Sequence, residues 1–227
     1  MIAACLAMIM LAALLPLHLT QLRLFHAIVI QSEKRYQNQI MLDALSAEVK
    51  QAGNTGCTTE HHLLPVMGYD SYQLTPDDRL IVKPTEIIVR HAGSQHAALA
   101  KSYDKGLDLI IDNALSIALD EVLIISDCHH AEIFKVAQVS KREGFQHLLL
   151  ALPLHRHFDQ GAVISTFEVN RFILINDSLY FENIHHSKTK LVDAPPFLHF
   201  SLIKAEEGLS QLHITFKKGY YHVTLIT

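Results

Sequence analysis

The sequence predicts an α+β protein: one long N-terminal helix, amphipathic in its second half, packed on a mostly antiparallel β-sheet head. Three observations predict it. Residues 1–22 carry no formal charge, and the first charged residue is Arg23. An apolar stripe at helical spacing follows and stops at Gly53. Beyond Ala52 no 3.6-residue period appears, and short runs rich in Ile, Leu and Val alternate with turn formers.

The opening stretch, MIAACLAMIMLAALLPLHLT, makes a helix of about 33 Å up to Arg23, against a bilayer core of about 30 Å. A secretory signal peptide needs a basic start, and no Lys or Arg precedes this run. A buried core helix is the other alternative, but so uniform a run is long for one. The reading is therefore a membrane-spanning half over residues 1–22. Pro16 lies inside it, removes one backbone donor and is expected to kink or loosen the helix.

The pattern continues over residues 23–52 as an amphipathic half. Leu42, Leu45, Val49 and Ala52 form one apolar stripe, expected to pack on the sheet, while Asp43, Glu48 and Lys50 fall elsewhere on the wheel. One unbroken rod of both halves would be about 78 Å long. Gly53 and Gly56, with Asn54, supply the stop.

Residues 53–227 form the β-rich head. Residues 55–84 read as loop, EIIVRH (86–91) as the first clear strand, and residues 93–105 as loop again. Strands are then predicted at 107–111, 115–119, 122–126, 132–139 and 147–152. Residues 162–175 are one long strand or two joined by a bend, returning through a turn at Asn176–Ser178 as a hairpin with 178–184. Runs at 189–192, 197–204, 212–216 and 221–226 complete the chain.

Composition narrows the function classes. The net charge of −4 gives no basic surface for nucleic acid. Of the three cysteines, Cys5 lies in the apolar run and behaves as a small apolar residue. Cys57 and Cys128 suit one disulfide in an oxidising compartment, and two unrelated buried thiols are the alternative. A bridge closing about 70 residues would contribute roughly 4 kcal/mol in the chain-entropy model.

Sixteen histidines include the groups His61-His62, His129-His130, His155-x-His157 and His185-His186. Imidazoles bind Zn, Cu or Ni, but adjacent strand residues point to opposite faces. No Cys-x-x-Cys or His-Glu-x-x-His occurs, so solvated loop histidines are the simpler reading and no metal site is assigned. G-x-S-x-G, the P-loop and the dinucleotide fingerprint are missing too, which leaves no cofactor and no catalytic residue to name. Asp159 or Glu168 beside His157 is a pairing that any His-rich chain offers.

Four stretches in order carry a resemblance. They are MIA with its apolar run and Pro, SEKRYQNQIMLDALSAEVKQAGNTGC, TEIIVRHAG with EVLIISDCHHAEIFKV, and FDQGAVISTFEVNRFILINDSLYFEN. Together they resemble the PilW-like minor pilins of bacterial type IV pili, over most of the chain except its last thirty or so residues. The resemblance implies a non-catalytic structural subunit that acts in pilus assembly or priming. It implies partners that are other pilin subunits, bound through the N-terminal helix, and a single-pass inner-membrane location with the head in the periplasm. It also implies pairing of Cys57 with Cys128. A type II secretion pseudopilin, which shares the anchor and the general fold, is the runner-up, and an envelope-anchored His-rich metal-binding protein is the alternative of another class. The family's basic leader, Gly, aromatic or Met, and helix Glu would precede Met1, so the reading frame is expected to extend upstream.

Overall fold

The computed structural model describes residues 2–56, 66–69, 72, 74–75, 78–127, 129–176, 178–183, 188–192, 197–204, 209–216 and 219–226. One helix, α1 (Ile2–Lys50), opens the chain. Thirteen strands follow among the described residues: β1 (Val66–Met67), β2 (Leu80–Lys83), β3 (Glu86–Ala98), β4 (Asp108–Ile111), β5 (Val122–Ser126), β6 (Ala131–Arg142), β7 (Phe145–Leu150), β8 (Val163–Ile175), β9 (Ser178–Asn183), β10 (Thr189–Val192), β11 (Phe197–Lys204), β12 (Leu209–Phe216) and β13 (Gly219–Ile226). The chain divides into two compact units, Met1–Ala44 and Leu45–Thr227.

The first unit is helix alone. Helix α1 runs without a break through Pro16, and the Thr20 hydroxyl donates to the Pro16 carbonyl at 2.7 Å. The expected single-pass inner-membrane anchor, with the head in the periplasm, is corrected here. Among the described residues no helix is long and apolar enough to cross a membrane. A span needs about 20 consecutive apolar residues. From Leu14 onward, Pro16, His18, Thr20, Gln21, Arg23 and His26 interrupt the run.

The second unit is the head, joined to the last turns of α1. Its main sheet runs β10-β9-β8-β5-β6-β7-β4, with β3 on the other side of β8 and β2 beside β3. The pairs are antiparallel except β1 with β6. The sheet then closes on itself. Leu99, just past β3, bridges to Ile111 of β4, with Ala100 N donating to Ile110 O at 2.9 Å and Asp112 N to Ala98 O at 3.0 Å. The ring β3-β8-β5-β6-β7-β4 is thus a short barrel. Register shifts between Ala92 and His96 and between Val136 and Gln138 bend β3 and β6, as closure requires.

The barrel interior is filled by one apolar cluster that includes Leu123, Ile125, Phe134, Leu148, Phe158 and Ile164. Strand β5 is buried on both faces, which explains its continuous apolar run. Val122 and Ile124 point outward and are covered by Tyr69, Tyr72 and Leu74 from the segment before β2. A separate three-stranded sheet, β11-β12-β13, meets the β2–β3 turn through Phe200 N donating to Pro84 O at 2.9 Å.

Several boundaries differ from the sequence reading. β2 lies within the stretch read as loop, because Pro84-Thr85 turns it straight into β3. β3 runs on past His91 to Ala98, and Gly93 marks its bulge rather than a loop start. Residues 115–119, expected as a strand, form none. There Leu115 enters the barrel core while Leu119 stays exposed, and Gln146 Nε2 donates to the Leu115 carbonyl at 2.6 Å. A single strand spans 163–175. The β8–β9 hairpin pairs Ile175 with Ser178, and Asn176 has φ +47°.

Two substitutions test this packing. Leu45 is fully buried, so Leu45→Ala should cost about 2–5 kcal/mol in urea unfolding of the full chain. A Cβ at Gly93 would lie 2.1 Å from Thr166 Oγ1 and 2.7 Å from Glu168 Oε1. Gly93→Ala should therefore lower stability by about 1–3 kcal/mol, read in the same experiment.

Candidate functional site

Two surfaces carry the features that a function can use. The first is the exposed part of α1. Leu14, Leu15, Leu17, Leu19, Leu22, Leu24, Phe25, Ile28, Val29 and Ile30 are large, apolar and exposed, Phe25 and Ile28 each by 62%. At 100° per residue they spread over roughly two-thirds of the circumference. Pro16, Thr20, Arg23, Ala27 and Gln31 share the remaining strip. A helix with one apolar stripe is served by one neighbour, whereas apolar residues on several sides need several.

The second is the root of α1, where its last turns meet the sheet. Leu45 and Val49 are buried there, and Leu42 is buried as well. Beyond Lys50 the chain turns through Gly53, at φ +82°. Gly53 N donates to Arg90 O at 2.9 Å, and Ala92 N donates to Asn54 O at 2.7 Å. These bonds fill the edge of β3 on either side of His91. Gly56 has φ +84°, a conformation that strains any side chain, and a Cβ added there would lie 3.3 Å from Ser165 Oγ, 3.5 Å from Val163 Cγ1 and 3.8 Å from Ala92 Cβ.

Between those backbone bonds sits a polar network. Glu48 accepts from Asn170 Nδ2 at 2.8 Å and faces His91 Nε2 at 3.1 Å. His91 Nδ1 lies 2.8 Å from the Ala92 carbonyl. Asn170 Oδ1 accepts from Asn183 Nδ2 at 2.6 Å. The His91 side chain is 3% exposed and that of Glu48 28%. The hydrogen bond from His91 holds the Glu48 carboxyl below its ordinary value, partly offset by burial. For His91, burial is the largest influence and pushes the imidazole down. The Glu48 and Ala92 bonds outweigh it, with the Glu48 and Glu168 charges adding, so the net direction is up.

A third cluster lies at the start of β6. The Glu132 carboxylate, 4% exposed, accepts from His155 N at 2.9 and 3.0 Å and meets His155 Nδ1 at 2.7 Å. His130 stacks on Phe158 at 4.8 Å, its Nδ1 is 3.2 Å from Asp127, and its Nε2 is 3.1 Å from the His157 carbonyl. His157 pairs with Asp159 at 3.1 Å, and Glu168 lies apart, near Asn183. Glu132 thereby clamps the 151–159 loop over the barrel end. Among the described residues no three His, Cys, Asp or Glu side chains converge as a metal site would require.

Cys57 and Cys128, read from sequence as a disulfide, lie outside the described residues, as do His61, His62, His185 and His186. Glu48, His91, Asn170 and Glu132 were not singled out from the sequence as site residues. Glu48 does carry a legible signal: it lies next to Val49 and three residues past Leu45, at the margin of the apolar stripe. His91 and Asn170 have none, because their meeting depends on the register of β3 against β8, which pairs Val89 with Asn170.

No protein-family model, no curated protein and no solved structure matches the chain. Function therefore rests on the residues themselves. Replacing Glu132 by Ala would strand the His155 amide and open the loop. Glu132→Ala should cost about 1–3 kcal/mol in urea unfolding.

Proposed function

We propose that the chain is a non-catalytic structural subunit of a type IV pilus system, a PilW-like minor pilin that acts in pilus assembly. The observation that carries this reading is the helix. A β-rich head with its own core holds one end of a 49-residue helix whose large apolar side chains stay exposed on several sides. At about 25 cal/mol per Å², such surface favours burial against other apolar helices. A filament that bundles many such helices and leaves the heads outside would bury it. The order of the family-like motifs in the sequence supports the same reading. The partners are then other pilin subunits, and the contact is helix to helix.

The test is photocrosslinking in a piliated cell. A photoreactive residue placed at Phe25 should yield covalent adducts with pilin subunits. The further change Ile28→Asp, which sets a carboxylate in the same contact, should reduce the adducts about tenfold while the head stays folded. Adducts that contain no pilin subunit, at an intact expression level, would overturn the proposal.

A further inference from the structure

The root of α1 carries a second device, independent of any filament role. Each ring nitrogen of His91 faces an acceptor, and Nε2 also lies 3.3 Å from a donor, the Asn170 amide Nδ2. Nδ1 is 2.8 Å from the Ala92 carbonyl and Nε2 is 3.1 Å from the Glu48 carboxylate. A neutral imidazole has one N–H: with it on Nδ1, Nε2 can accept from Asn170 but offers nothing to Glu48, so only the doubly protonated ring donates to both acceptors. We propose that the helix root is a pH-dependent latch: the His91 imidazolium clips Glu48, and with it the Leu45–Lys50 turns, to β3 and β8, and the grip weakens when His91 loses its Nε2 proton.

The surroundings make the two states distinct. On loss of the proton to solvent, the Nε2 lone pair faces the carboxylate at 3.1 Å, where both groups are acceptors. Asn170 Nδ2 touches both, at 2.8 Å from Glu48 and 3.3 Å from His91. It can then turn a hydrogen toward His91, which withdraws a donor from Glu48. The charged groups that face His91 are Glu48 from α1 and Glu168 from β8, its cross-strand partner. Both favour the imidazolium. Strand β9 contributes only the uncharged Asn183, which is bonded to Asn170.

The direction with pH follows. His91 is held above its ordinary 6.5, so its contribution is complete below that value and is lost as pH rises through the folded-state value. Glu48 is held below its ordinary 4.5, so its contribution is present above 4.5 and is lost as pH falls through the folded-state value. The latch is therefore tightest between about 4.5 and 6.5 and loosens on the alkaline side.

Two measurements on the full chain test this. Nitrogen-15 NMR of the His91 ring should show an imidazolium at pH 6 that titrates above 6.5, and Glu48→Gln should lower that midpoint. Amide hydrogen exchange over residues 45–50, corrected for intrinsic rates, should lose about tenfold in protection between pH 6 and pH 8.5. His91→Gln should abolish that pH dependence. A neutral His91 ring at pH 6 in the wild-type chain would overturn the latch. So would a His91→Gln protein that keeps the wild-type pH dependence.

Discussion

Strand β8 is the constraint on which the rest of the head depends. It is thirteen residues long and pairs with three neighbours. Strand β3 follows nearly its whole length on one side, while β5 takes its first half and β9 its second half on the other. The first half closes the barrel and the second half receives the helix root. Its two faces divide as well: Ile164 faces the barrel core and Phe167 the outer cluster beneath Tyr72. Shifting β8 by one residue would exchange these two sets and expose the core.

This arrangement explains why the polar groups at the root are tolerated. Asn170 is almost fully buried on β8, and His91 is almost fully buried on β3. Unpaired, each would be costly. The antiparallel register sets them beside each other, and Glu48 from the helix completes the set. The backbone bonds of Gly53 and Asn54 hold the turn that follows on the β3 edge. The helix end is thus located by apolar packing at Leu45 and Val49, by edge hydrogen bonds and by one charged pair.

The two units differ in how they satisfy their apolar residues. The head buries two apolar clusters of its own, inside the barrel and under the segment before β2, and leaves only scattered residues such as Leu119 and Leu152 exposed among the described residues. The exposed part of α1 does not. Helix propensity alone gives a free helix little stability, so a long one is sustained chiefly by what covers it. That contrast is the reason the assembly reading rests on the helix and not on any cluster in the head.

By itself the sequence determined the α+β class, one long helix, which ends at Lys50 just short of the stop read at Gly53, and most strands. These follow from local patterns: apolar spacing at 3.6 or continuous short runs, and turn residues between them. Leu45 and Val49 could be named because a helical stripe is a property of neighbouring residues. Barrel closure, the bulge at Gly93 and the plug role of Leu115 were decided only by the tertiary structure, since each depends on which distant strands pair. The Glu48–His91–Asn170 network is the clearest case. Its members lie 43 and 122 positions apart along the chain from Glu48, and no local pattern encodes their meeting. Only the register of β3 on β8, with the helix end laid across them, turns three ordinary polar residues into one buried, charged contact.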